Sequence, residues 1–133
     1  MTDALASQLE LDRNEHWLRS WLVEPALPDG SPDHLGWLVL TSRRAMFFRK
    51  SGLFGPGRLE KPARFSWRLE EIRFIVFRRY EMRVGYGDRL EIPGFAINDQ
   101  GFRLNRETPS RGVVDELEQA RRSRRSELRL RLP

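Results

Sequence analysis

The chain contains no cysteine and only two histidines among its 133 residues. Without cysteine there is no disulfide framework, no thiolate nucleophile and no cysteine zinc site, as is typical of a reducing compartment. His16 and His34 fall in different predicted elements, and neither has a partner at metal-binding spacing. We therefore expect a cytoplasmic protein that needs no metal or other cofactor.

Long apolar runs are also absent. No segment approaches the roughly 18 apolar residues that a membrane span needs, and the acidic start lacks the cationic region of a secretion signal. Yet 39% of the residues are hydrophobic and 11% are aromatic, too much bulky apolar material for a disordered chain. We expect one folded domain without a transmembrane segment.

Charge is spread unevenly along the chain. Residues 1–40 hold two cations and seven acids, a net charge of −5, whereas residues 41–133 hold 22 cations and 12 acids, a net charge of +10. The basic part can attract an anionic partner, or it can be neutralised within the fold if the acidic start lies across it. The charge pattern alone leaves both alternatives open.

The stretch 36–48 (GWLVLTSRRAMFF) predicts a β-hairpin. Two apolar, β-favouring runs flank a short polar connection, which leaves no room for a crossover helix, so the two strands must pair antiparallel. The stretch 51–62 that follows holds three glycines and two prolines and predicts an irregular loop.

Five further strands are predicted from apolar alternation and from the turn residues between them. They cover residues 16–23, 63–69, 73–80, 89–97 and 102–104. The tryptophans of 16–23 also have helical spacing, and the strand is our choice. Pro93 and Gly94 indicate a bulge or an edge position.

Helices are predicted at both ends of this series of strands. Thr2 can cap a short helix that runs toward Arg13. The sequence 108–110 (TPS) begins a closing helix with an apolar stripe. The stripe consists of Val113, Val114, Leu117 and Ala120.

Seven short antiparallel strands and a final amphipathic helix resemble the pleckstrin-homology-like (PH-like) superfamily, in particular its small bacterial, GRAM-like members. The residues that carry the resemblance are 36–48, 65–72 (FSWRLEEI), 90–95 (LEIPGF) and the helix after Ser110. The resemblance implies a bent antiparallel barrel or sandwich that the helix closes at one end, usually a non-catalytic module that binds lipids, proteins or copies of itself.

We divide the chain accordingly into three parts. Residues 1–14 are an N-terminal extension with helical character, residues 15–122 are the PH-like domain, and residues 123–133 are a basic C-terminal tail. No stretch assembles a nucleophile, an acid-base pair or a phosphate cradle, so we expect binding and no catalysis.

The leading functional hypothesis is protein-protein or self-association. An exposed sheet edge can provide the surface, and Trp17 and Trp21 can provide large aromatic anchors. Burial of the two indoles against the barrel is the alternative.

The second hypothesis is peripheral attachment to anionic lipids at the inner membrane face, through the basic loop 49–64 with Phe54 at its tip. The candidate anion- or lipid-binding residues are Arg43, Arg44, Arg49, Lys50, Phe54, Arg58, Lys61 and Arg64. Ordinary solvation of these cations is the alternative.

The third hypothesis is nucleic-acid binding through the arginine-rich segment that begins at 121–125. This segment lacks stacking residues, and cations at a helix C-terminus are the ordinary explanation. Leu128, Leu130 and Leu132 also alternate as a strand added to another copy would.

Overall fold

A computed structural model of the chain describes residues 3–52, 55, 57–104 and 110–131. A short helix α1 (Asp3–Ala6) precedes seven strands, and a long helix α2 (Ser110–Leu130) follows them. The strands are β1 (Trp17–Pro25), β2 (Gly36–Thr41), β3 (Arg44–Ser51), β4 (Arg58–Arg68), β5 (Ile75–Val84), β6 (Asp88–Ile97) and β7 (Gln100–Leu104). This confirms the predicted fold class, a mainly β chain with one C-terminal helix.

All seven strands belong to one open antiparallel sheet with the order β4-β3-β2-β1-β7-β6-β5. The predicted hairpin is β2 and β3, in which Trp37 lies opposite Phe48 and Leu40 lies opposite Ala45. The two ends of the order are β4 and β5, so each of these strands has a strand neighbour on one side only. The architecture is consistent with a PH-like barrel or sandwich.

One apolar core holds the sheet and α2 together. Phe47, Phe95 and Phe102 are fully buried at its centre, and Phe102 lies 5.4 Å from Phe95 and 5.8 Å from Phe47 between ring centroids. The predicted stripe of α2 is buried against the same core. Because these side chains come from strands far apart in the sheet order, the sheet must curl around them.

A second apolar cluster lies on the other face of β2, β3 and β4. The N-terminal segment covers it: Leu5 is fully buried against Val39, Met46 and Phe48. The hairpin strands are therefore buried on both faces, which explains why their sequence is so continuously apolar.

The boundaries differ most from the prediction at α1 and β4. The first helix ends at Ala6 and does not run toward Arg13. The predicted loop 51–62 is wrong over 58–62, because β4 already begins at Arg58, which pairs with Ser51. The register then shifts, so that Arg49 lies opposite Glu60 but Phe47 lies opposite Phe65, which leaves extra residues on β4. A bulge on an edge strand accommodates Pro62, since its missing N–H is not needed there.

Pro93 lies in an unbroken register between β5 and β6, so the predicted bulge is absent at this position. The β7 ladder reaches only as far as Gly94, and at Pro93 the β6 strand pairs with β5 alone. This part of β6 therefore has the edge character that proline tolerates.

The segment predicted as a tail is helical as far as Leu130. Arg124 and Arg131 both pair with Glu127, at 3.4 Å and 3.1 Å, the spacings that support a helix. Leu128 and Leu130 are thus helical and do not form a strand, while Leu132 lies outside the described residues. Across the described ranges, no helix is long and apolar enough to cross a membrane.

Candidate partner-binding site

The structure separates the candidate anion-binding residues into two groups. Arg43 and Arg44 lie at the β2–β3 turn, whereas Arg49 and Lys50 lie at the far end of β3, about 20 Å away for a strand of this length. Arg58 begins β4 beside this far end. The proposed apolar tip, Phe54, falls outside the described residues.

Arg44 is bound within the fold by a buried carboxylate. Its Nε donates to Glu15 Oε2 at 2.9 Å, and its Nη2 donates to Glu15 Oε1 at 3.0 Å. The Glu15 side chain has no exposed surface, and Thr41 Oγ1 donates to it at 2.5 Å. Burial alone would raise the pKa of Glu15, but the hydrogen bonds from Arg44 and Thr41 outweigh it and hold that pKa below its usual range.

A cavity of about 280 Å³ adjoins this network at the end of the hairpin. Arg43, Arg68 and Arg124 line it, together with Asp12 and Glu70. Arg124 is almost fully buried, and its Nε lies 3.6 Å from Glu70 Oε2. The wall is therefore a mixture of cations and acids, and the pair between Arg124 and Glu70 joins α2 to the segment between β4 and β5.

The acidic start of the chain neutralises two further candidate cations, one at the far end of β3 and one on β4. Asp33 lies 3.7 Å from Arg49, and Glu10 lies 3.3 Å from Lys61. With the pair between Glu15 and Arg44, the N-terminal acids meet three of the candidate cations. Arg58 and Arg64 remain exposed on β4.

The two candidate tryptophan anchors are covered by the chain itself. Trp21 is only 8% exposed and belongs to the main core. Trp17 packs half-buried against the cluster under the N-terminal segment, and its Nε1 donates to Ser20 Oγ at 2.9 Å. Trp21 is therefore a core residue, whereas Trp17 keeps part of its surface exposed.

The second arginine cluster, on α2, is also used within the fold. Arg121 Nη1 donates to the carbonyl oxygens of Ile72 and Arg73 at 3.2 Å and 3.0 Å. Arg125 Nη2 donates to the Ile72 carbonyl at 3.1 Å. These guanidinium groups attach α2 to the corner between β4 and β5, and they are not arranged as a row of free cations.

One of the two edges of the sheet is β5. Among the described strands it pairs with β6 alone, and three large apolar side chains at or just before its start are exposed: Phe74 at 37%, Val76 at 38% and Phe77 at 51%. The sequence suggested an exposed edge without identifying the strand. The signal that could have identified it is the apolar run 74–77 directly followed by two arginines.

The backbone of β5 presents free hydrogen-bonding groups along this edge. Asn98 N donates to the Phe74 carbonyl at 3.0 Å, so the polar groups of Phe74 point toward β6. Because these groups alternate in direction along an antiparallel strand, those of Ile75, Phe77 and Arg79 point away from β6. They form the row that another strand would bind.

Tyr80 fixes the middle of the strand against its neighbours. Its ring lies over Gly94 and Gly101, where an added Cβ would collide with it. Burial raises the pKa of Tyr80, and Arg78 and Arg103 oppose that shift. A cleft of about 780 Å³ adjoins Tyr80, and Arg78, Arg79 and Glu81 contribute to its polar wall.

Among the described side chains, no group of three or more His, Cys, Asp or Glu residues could hold a metal ion. No family model and no curated protein matches this chain. Among solved structures, the hSac2 domain from the human phosphoinositide phosphatase Sac2 is similar, with 14% sequence identity and a TM-score of 0.47. The match covers 89% of this chain and 75% of that chain.

Proposed function

We propose that this chain is a non-catalytic binding module that holds a polypeptide partner at the open edge of β5. The observation that carries the proposal is that this ten-residue strand pairs on one side only, while Val76 and Phe77 remain exposed on it. An extended segment of a partner would add a strand there, with the backbone supplying affinity and the side chains supplying selectivity.

The side chains of the edge define the partner's chemistry. Arg73 and Arg78 are exposed cations on either side of the exposed apolar pair Val76 and Phe77. A complementary segment therefore places apolar side chains opposite the pair and acidic side chains near the arginines. The charges also limit indiscriminate pairing, because charged side chains on an edge strand disfavour aggregation.

The other binding hypotheses receive less support from the contacts. Arg44, Arg49 and Lys61 are paired with acids of the N-terminal region. Arg121 and Arg125 are hydrogen-bonded to backbone carbonyls. A lipid or nucleic-acid phosphate would have to compete with these partners, whereas the β5 edge has free backbone groups.

The proposal can be tested by selecting displayed random peptides on the immobilised protein and measuring their affinities by fluorescence anisotropy. We expect the enriched peptides to alternate apolar and acidic residues. Phe77→Pro should weaken their binding at least tenfold, because it removes an N–H that points away from β6 and leaves the β5–β6 ladder in place. Leu18→Ala is the control, since Leu18 is 43% exposed on β1, a strand that does not pair with β5.

Two outcomes would contradict this function. Selected peptides that bind the Phe77→Pro variant as tightly as the unchanged protein would show that the edge is not the site. A protein that enriches no peptide but sediments with anionic vesicles at low salt would be a membrane-binding module instead. Near-ultraviolet circular dichroism of each variant checks that the fold is retained.

A further inference from the structure

We infer that the partner at the β5 edge is a second copy of this chain, paired antiparallel about a two-fold axis that passes beside Phe77. The inference rests on the proposed use of that edge and adds the identity of the partner and the register. It follows from the symmetry of such a pair, from the charges along β5 and from the direction of its free backbone groups.

Symmetry restricts the registers that two identical strands can adopt. When a two-fold axis stands perpendicular to a continuous sheet, each residue faces a residue whose side chain points to the same face of the sheet. Side chains alternate along a strand, so the centre of the pair is a single residue facing its own copy. Centres at Val76, Phe77 or Arg78 place the exposed pair Val76 and Phe77 at the middle of the contact.

Charge distinguishes these three registers. Arg73 lies two residues before β5. When the pairing is extended to it, a centre at Val76 places Arg73 opposite Arg79 of the second copy, and a centre at Arg78 places Arg78 opposite itself. A centre at Phe77 places Arg73 opposite Glu81, an exposed carboxylate that also lies 3.3 Å from Arg89 of β6. Like charges directly opposite each other destabilise a strand pair, whereas opposite charges stabilise it. Of these three registers, the one centred on Phe77 avoids a pair of facing arginines.

The remaining positions of this register are compatible with its charges. Phe77 faces Phe77, a half-exposed ring covering its own copy. Phe74 faces Tyr80, an aromatic pair. Val76 faces Arg78, whose aliphatic stem can cover an apolar neighbour while its charged end reaches water.

The free backbone groups of β5 meet in the same register. Ile75, Phe77 and Arg79 point their N–H and C=O groups away from β6, and in this register Phe77 bonds Phe77 while Ile75 bonds Arg79 on each side of the axis. Each facing pair exchanges two hydrogen bonds, about six in total. Arg121 of α2 donates to the carbonyl oxygens of Ile72 and Arg73, and these two residues precede the first of the facing pairs.

Light scattering after size exclusion, from micromolar to millimolar protein, tests whether the copies associate. We expect a dimer for the unchanged protein and for Leu18→Ala, and a monomer for Phe77→Pro. Arg73→Glu and Glu81→Arg should each raise the dimer dissociation constant about tenfold. The double variant Arg73→Glu with Glu81→Arg should restore it, because the facing charges are again opposite.

Cysteine cross-linking tests the register, and the chain has no other cysteine to interfere. Phe77→Cys should form a disulfide with its own copy, since facing Cα atoms lie about 5.5 Å apart in a hydrogen-bonded pair. Val76→Cys mixed with Arg78→Cys should give the mixed disulfide. Neither of these two should cross-link with itself, because its own copy lies two residues out of register, about 8 Å away.

The outcomes separate this inference from the proposed function. A protein that stays monomeric at every concentration, yet binds selected peptides in a Phe77-dependent manner, would overturn the second copy as partner and leave the edge as the binding site. A monomer that also binds no peptide would overturn both. A dimer whose cross-links require another central residue, or that persists in Phe77→Pro, would overturn the inferred pairing.

Discussion

Replacing Glu15 by glutamine should destabilise the fold more than any other exchange of an acid for its amide among the described carboxylates. The Glu15 carboxylate is fully buried and accepts four hydrogen bonds, from Asp12 N, Thr41 Oγ1 and both Nε and Nη2 of Arg44. Glutamine fills the same volume, but it carries no charge and turns an NH₂ group toward some of these donors. Arg44 then loses its counter-ion in a site that is only 27% exposed.

The expected cost is about 3 kcal/mol, the lower end for breaking a buried ion pair, because part of Arg44 still reaches water. For a domain of this length the entropy of unfolding is about 0.28 kcal/mol per kelvin, so the melting temperature should fall by about 10 °C. Scanning calorimetry and urea unfolding measure the two quantities. Glu10→Gln is the matched control: Glu10 is 88% exposed beside Lys61, and we expect less than about 0.5 kcal/mol.

The pH dependence of this difference follows from the direction of the pKa shift. The pKa of Glu15 in the folded chain lies below the ordinary value of 4.5, so the ionised carboxylate contributes stability above that value. The contribution disappears as the pH falls through the folded-state pKa, where both proteins carry a neutral side chain. The two unfolding free energies should therefore differ near pH 7 and converge in acid. A variant within 1 kcal/mol of the unchanged protein at pH 7, or a difference that grows in acid, would refute the assigned role of the pair.

Two smaller predictions concern β5 and its neighbours, and urea unfolding measures both. A Cβ at Gly101 would collide with the Tyr80 hydroxyl, so Gly101→Ala should cost about 2 kcal/mol, and Tyr80→Phe in the same chain should recover part of that loss; equal costs in both backgrounds would disprove the contact. Asn98 has a φ of 52° and its Oδ1 accepts from Arg73 N at 2.8 Å, so Asn98→Ala should cost about 2 kcal/mol and Asn98→Gly less, with the reverse order counting against this account.

Features set by neighbours in sequence were predictable. The hairpin 36–48 was recognised because two apolar strands flank a short polar turn, and α2 was recognised from its apolar stripe. The structure adds a reason for the glycine that begins the hairpin: a Cβ at Gly36 would meet the Phe48 carbonyl and the Phe47 ring. Such close packing depends on the partner strand and is not visible in a local pattern.

Features set by distant partners were not predictable in detail. The start of β4 looks like a loop because of its glycines and prolines, yet residues 58–60 pair with the end of β3. The sequence likewise does not show which cations are paired within the fold, because Glu15 lies 29 positions from its partner Arg44. The sequence offered solvation, partner binding and internal pairing as alternatives, and only the fold distinguishes them.

The run 74–77 (FIVF) shows most directly where sequence and isolated fold disagree. Four consecutive apolar residues are typical of a strand that is covered on both faces. A strand with one face exposed to water alternates apolar and polar residues. In β5 and the residue before it, Ile75 is 7% exposed, but the other three side chains are exposed by 37% to 51%. Apolar side chains of both parities are therefore left uncovered beside a row of free backbone groups. A second strand added at this edge would place its own side chains beside them on each face, and this is the packing that the proposed partner would supply.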